Sequence, residues 1–82
     1  MSKKDYSLKF YKGQMTNENN ETYNFYLAGR SANEAYDFLD SYVRNHCHKY
    51  HIIPGENDIL EINVTEVTME QYGRSYGYEI IN

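Results

Sequence analysis

The stretch from Ser31 to Tyr50 constrains this chain more than any other. Ser31 followed by Glu34 is an S-x-x-E capping box, in which each side chain satisfies a backbone donor at a helix start. At about 100° per residue, Ala32, Ala35, Phe38, Leu39, Tyr42, Val43, His46 and Tyr50 fall on one face. Asn33, Glu34, Asp37, Asp40, Ser41, Arg44 and His48 fall on the other. This is an amphipathic helix with one stripe to bury. Pro54 and Gly55 require it to have ended by Ile53. A single long helix cannot bury its stripe alone, so strands must supply the opposing surface.

Those strands are visible as period-2 alternation. Tyr6, Leu8 and Phe10 alternate with Ser7, Lys9 and Tyr11, and Lys12 and Gly13 weaken the run. Thr16 to Glu21 is a polar turn cluster. Tyr23, Phe25 and Leu27 then alternate with Asn24, Tyr26 and Ala28. The pair reads as an antiparallel hairpin, with Tyr6, Leu8, Phe10, Tyr23, Phe25 and Leu27 inward and Ser7, Lys9, Tyr11, Asn24 and Tyr26 outward. Ile59 to Met69 is a third strand whose parity switches near Thr65 and Glu66, the signature of a bulge. Thr68 and Gln71 resemble a second capping box around one helical turn, and Tyr76 to Ile81 is a last strand. The expected fold is α+β: a small antiparallel four-stranded sheet in the order β-β-α-β-β, with the amphipathic helix packed on one face. The other face is left to water or to a partner, and unpaired edges, the last strand included, invite a homodimer.

At 82 residues the chain is one domain, 1–82, with residues 1–4 a loose end. A domain of this size has no room for a deep substrate cavity beside its core. Ten Tyr and three Phe, with no Trp, exceed what that core can hold, so several Tyr must lie at the surface. Charge is unevenly placed. Residues 1–14 carry Lys3, Lys4, Lys9 and Lys12 against Asp5, whereas residues 54–82 carry Glu56, Asp58, Glu61, Glu66, Glu70 and Glu79 against Arg74. A net charge of −4 disfavours non-specific nucleic-acid binding, which depends on neutralising phosphates, and suits a basic protein partner. Cys47 is the only cysteine, which excludes an internal disulfide and fits a reducing, cytoplasmic setting. No secretory signal and no apolar run of membrane-spanning length is present. Asn, Tyr, Ile, Lys and Glu have AT-rich codons, which suggests a low-GC bacterial or phage genome.

Three groups of residues carry candidate chemistry. Cys47, His48 and His51 are metal-ligand types at helical spacing, but no fourth ligand or general base accompanies them, and a histidine near a helix C-terminus is favoured by the dipole alone. Neither a metal nor any other cofactor is expected. Lys9, Tyr11, Asn24 and Tyr26 would line an open sheet face able to stack bases, the basis of an alternative reading as a nucleic-acid- or nucleotide-binding module. Asp37, Asp40, Glu61, Glu66, Glu70, Tyr72 and Tyr76 are the candidate partner-binding set, because carboxylates and tyrosines together meet Arg and Lys well. There is no P-loop, no dinucleotide glycine fingerprint and no H-E-x-x-H, so an enzyme is not expected.

The run from Ala28 to Ala35, a hairpin exit through Gly29 and Arg30 into a capped amphipathic helix, resembles the architecture of small phage and mobile-element proteins, some anti-CRISPR proteins among them. That resemblance implies a non-enzymatic inhibitor that binds and blocks a larger host complex, and it assigns no residue a role. The expectation is therefore a binding protein acting through an acidic, tyrosine-rich surface.

Overall fold

A computed structural model describes residues 8–55 and 58–81. The expectations placed on residues 1–7, among them the loose end at 1–4 and the inward Tyr6, lie outside the described residues, as do Glu56 and Asn57. The helix starts where its cap predicts. Helix α1 runs Ala32–Asn45 behind Ser31, whose hydroxyl accepts from the Glu34 N–H at 3.1 Å. The Glu34 carboxylate reaches back one residue further than expected, to the Arg30 N–H. The helix does not continue to Tyr50. It breaks at His46, which leaves helical geometry, and a single short helix, α2 (Cys47–Tyr50), follows. The break turns His46 out to solvent, where its ring stacks on Tyr42, and swings Tyr50 into the core.

Strands β1 (Lys9–Asn17) and β2 (Thr22–Gly29) form the expected antiparallel hairpin, closed through the Asn17 to Glu21 turn. The first strand is longer than expected and presents the opposite face. Tyr11, Gly13, Met15 and Asn17 point to the helix, and Tyr11 and Met15 are buried there in place of Leu8 and Phe10. Gly13 is a slot rather than a stop: a Cβ at that position would stand 2.7 Å from a Leu39 methyl. Phe10 turns to the second face and finds cover under Tyr72, with ring centroids 4.7 Å apart. Tyr11 is thus no part of an open face.

Strand β3 (Ile59–Val67) pairs antiparallel with β1, and its irregularity sits at Thr16 and Asn17 opposite Leu60, not at Thr65 and Glu66. The bulge expels Leu60, which is 58% exposed, and brings Ile59 into contact with the core. Strand β4 (Glu79–Ile80) is short and parallel to β2, so the sheet, ordered β3-β1-β2-β4, is mixed rather than wholly antiparallel. The cause is the connection. From Thr68 to Tyr78 the chain crosses the second face of the sheet and re-enters on the far side of β2. There the Ile81 N–H donates to the Tyr26 carbonyl at 2.9 Å. The core between helix and sheet comprises Tyr11, Met15, Phe25, Leu27, Ala35, Leu39, Val43, Tyr50, Ile52 and Ile81.

Two polar hubs lock this arrangement. Glu79 accepts from Lys49 at 2.7 Å, Tyr50 at 2.8 Å and Tyr42 at 3.4 Å, tying β4 to both helices. Glu21 accepts from the Asn17 amide at 2.9 Å and pairs with His51 at 2.8 Å, tying the hairpin turn to the end of α2. Burial pushes the Glu79 carboxyl up, but the Lys49 and Tyr50 bonds and the Lys49 charge outweigh it and hold it below its ordinary 4.5. The Asn17 and His51 bonds hold Glu21 below the same value. Burial, then the Glu79 bond, pushes the Tyr50 hydroxyl up. Folded carboxyls with lowered values stabilise the fold above their unfolded values and lose that contribution as pH falls through the folded ones. A raised tyrosine value acts in the opposite direction: its contribution is full below the ordinary 10.0 and lost as pH rises above it. Thermal melts should therefore fall off below about pH 4.5 and again above about pH 10. Glu79→Gln should flatten the acid limb relative to the parent chain.

Candidate partner-binding edge and loop

The order of strands leaves β3 at one margin of the sheet with no neighbour beyond it among the described residues. Antiparallel pairing spends only alternate residues on a ladder. The Asn17 N–H donates to the Glu21 carbonyl, which sends the odd-numbered backbone groups of β1 toward β2 and the even-numbered ones toward β3. Their partners on β3 are Glu61, Asn63, Thr65 and Val67. The N–H and C=O groups of Ile62, Val64 and Glu66 consequently point away from the sheet, and they make no hydrogen bond among the described residues.

Carboxylates flank this edge. Glu66 is exposed on the helix side of β3, and Glu61 is exposed on the opposite side, where it accepts from Asn63 at 3.0 Å. Glu61, Glu66, Glu70 and Asp37 form no ion pair among the described residues. Asp40 is different: it is paired with Arg44 at 2.8 Å. Because Tyr42 reaches Glu79 of β4, helical spacing puts Tyr36 and Asp40 on the opposite flank of α1, toward β3. Asp37 stands on the solvent side of α1. Asp40, Glu61 and Glu66 thus border one edge, whereas Asp37 and Tyr76 do not.

The loop that leaves β3 is pinned from beneath. Thr68 and Gln71 cap each other reciprocally, the Gln71 N–H donating to the Thr68 hydroxyl and the Thr68 N–H to the Gln71 side chain. They close one turn rather than a helix. Tyr72 is not a free anchor, because its ring is packed against Phe10 and Tyr26. Tyr26 lies on the second face as expected but is buried there, its hydroxyl donating to Ser75 at 2.8 Å. What the loop shows to solvent is Tyr76, fully exposed, with Met69, and Ile80 of β4 is exposed as well. Beneath it a cavity of about 430 Å³ is lined by Lys12, Tyr26, Glu70, Gln71 and Arg74.

The residues of the alternative base-stacking face are divided. Lys9 and Tyr11 belong to the helix side, and Asn24 and Tyr26 to the second face. A different polar trough does occupy the second face, lined by Lys12, Gln14, Asn24, Asn63, Thr65 and Tyr78. Extending the first strand's alternation through Gly13 would have revealed Lys12 and Gln14 on that face. The histidine cluster is also divided. Cys47 donates to the Arg44 carbonyl, His48 is exposed, and the His51 ring lies against Glu21 and Tyr23. Among the described residues no three His, Cys, Asp or Glu side chains are grouped to hold a metal ion. No helix among them is long and apolar enough to cross a membrane. Compared with known proteins, the chain matches no family model, no curated protein and no solved structure.

Proposed function

We propose that the chain is a non-enzymatic binding protein that occupies a basic surface of a larger complex, and that its working surface is the β3 margin with the loop after it. The observation that carries this reading is the set of carboxylates Glu61, Glu66 and Glu70, without an ion pair among the described residues, running along that margin into a loop that holds Tyr76 and Met69 out to solvent. Tyr and Met are enriched at protein interfaces, and uncompensated carboxylates speed encounter with a cationic partner. The resemblance to anti-CRISPR proteins makes a phage-encoded inhibitor of a nucleic-acid-guided defence complex, acting in the bacterial cytoplasm, the specific form of the proposal.

The test is co-purification from a bacterial host, followed by affinity measurement on the species retained. Glu66→Lys with Glu70→Lys should weaken capture most at low salt, and Tyr76→Ala should weaken it at all salt concentrations, by about tenfold or more if Tyr76 is a central anchor. Retention unchanged by these variants would overturn the surface. Failure of the expressed chain to restore plaquing by a targeted phage would overturn the anti-defence form. The alternative, a nucleic-acid or nucleotide module, is supported by one observation: Lys12 and Arg74 form no ion pair among the described residues, and the Lys12 ammonium lies 5.8 Å from the Tyr78 ring. Salt-dependent retention on immobilised RNA or DNA, lost in Lys12→Ala, would favour it.

A further inference from the structure

We infer that the β3 edge is a template for strand addition, and that its occupant is an extended, basic segment of the partner protein. The inference deepens the reading above and rests on it. The edge offers the outward N–H and C=O groups of Ile62, Val64 and Glu66, the alternating array that an added strand pairs with. Natural edges are blunted by charge, Pro, bulges, brevity or a covering element. β3 has nine residues, contains neither Lys nor Pro, and has no strand beyond it among the described residues; its bulge at Leu60 lies near one end, outside Ile62 to Glu66, and its only charges are the two glutamates. Ile62 and Val64 are half-buried on the helix side and give an incoming strand apolar side chains to pack beside.

Charge selects the occupant. An added strand would run between Glu61 on one face and Glu66 on the other, roughly 17 Å apart along β3, neither of them in an ion pair among the described residues. A second copy of this chain is the poorer fit. It offers no opposite charge: β3 carries no Lys or Arg, and two chains of net charge −4 each repel as they approach. A segment alternating apolar residues with Lys or Arg supplies both the backbone pairing and the opposite charge.

The test uses the full chain, isotope-labelled, and two nine-residue probe peptides, one alternating valine with lysine and one alternating valine with glutamate. The basic peptide should slow amide exchange at Ile62, Val64 and Glu66 by about tenfold or more, and the acidic peptide should not. Val64→Pro removes an outward N–H without touching the ladder to β1, and should abolish the protection. Glu61→Lys with Glu66→Lys leaves the backbone edge intact and should exchange the preference from the basic to the acidic peptide. Absence of protection by the basic peptide at millimolar concentration would overturn the strand-addition inference. If the true partner is still lost in the Glu66→Lys, Glu70→Lys variant, the reading of a basic partner survives that failure. Concentration-dependent protection without any peptide would assign the edge to a second copy and overturn the inference.

Discussion

Leu39→Ala is expected to destabilise the fold by roughly 2–5 kcal/mol, the range for truncating a large buried aliphatic side chain. Leu39 is fully buried, and it fills the slot left by the missing side chain of Gly13 while facing Leu27 across it. No neighbouring side chain stands on Gly13 to collapse into the void, so the cavity term should be large. In a domain this small such a loss approaches the whole net stability. Asp37→Ala, exposed and without an ion pair among the described residues, should change stability by less than about 0.5 kcal/mol. Denaturant unfolding of the two variants checks the pair. Equal midpoints would mean that the buried stripe of α1 is not the one centred on Leu39.

Asn17→Ala is the second large effect, expected to cost about 2–4 kcal/mol. Asn17 is a completely buried polar side chain at the hinge between hairpin and helix. Its amide donates to the Tyr50 carbonyl at 2.9 Å and to Glu21 at 2.9 Å, and its carbonyl accepts from the N–H groups of Asn19 and Glu21. Alanine would leave the Tyr50 carbonyl and the turn N–H groups without these partners, and an unsatisfied buried group costs more than a hydrogen bond contributes. Asn17→Asp would keep the acceptor for the turn but set a second carboxylate against Glu21, so it should be no milder than alanine. Chemical denaturation of both variants checks this. A loss below about 0.5 kcal/mol for alanine would show that the hub is not what holds α2 to the turn.

Local signals carried much of the fold because they act over a few residues. The Ser31 to Glu34 cap, the Asn-rich turn and the alternation of β2 depend on near neighbours, and each has its expected place. The face of β1 is not legible from the alternation up to Tyr11, where Leu8 and Phe10 look like the apolar set. Followed through Gly13 to Asn17, the even positions become Lys12, Gln14 and Thr16, and the apolar parity reverses. Gly13 is indistinguishable from a breaker until Leu39 is known to lie above it. The parallel β4 was not legible at all, because strand direction depends on where the loop from Thr68 to Tyr78 travels, and that path is set by Phe10, Tyr26 and Tyr72 stacking over long sequence separations.

The candidate surface was legible as composition rather than as place. Acidic charge pointed to residues 54–82 and excess Tyr to the surface, and Glu61, Glu66, Glu70 and Tyr76 are exposed there. Tyr72 could not be told from Tyr76 in sequence, yet one ring anchors the loop from below and the other stands in solvent. The open edge had no sequence signal, because strand order decides which strand is last.

Residue-resolved amide hydrogen exchange of the free chain tests the central claim, that β3 is an unpaired edge available to a partner. Glu61, Asn63 and Thr65, whose N–H groups face β1, should exchange slowly, and Ile62, Val64 and Glu66 should exchange at least about tenfold faster in strict alternation. Uniform protection along Ile59 to Val67 in a dilute monomeric sample would contradict it, since every one of those N–H groups would then already have a partner.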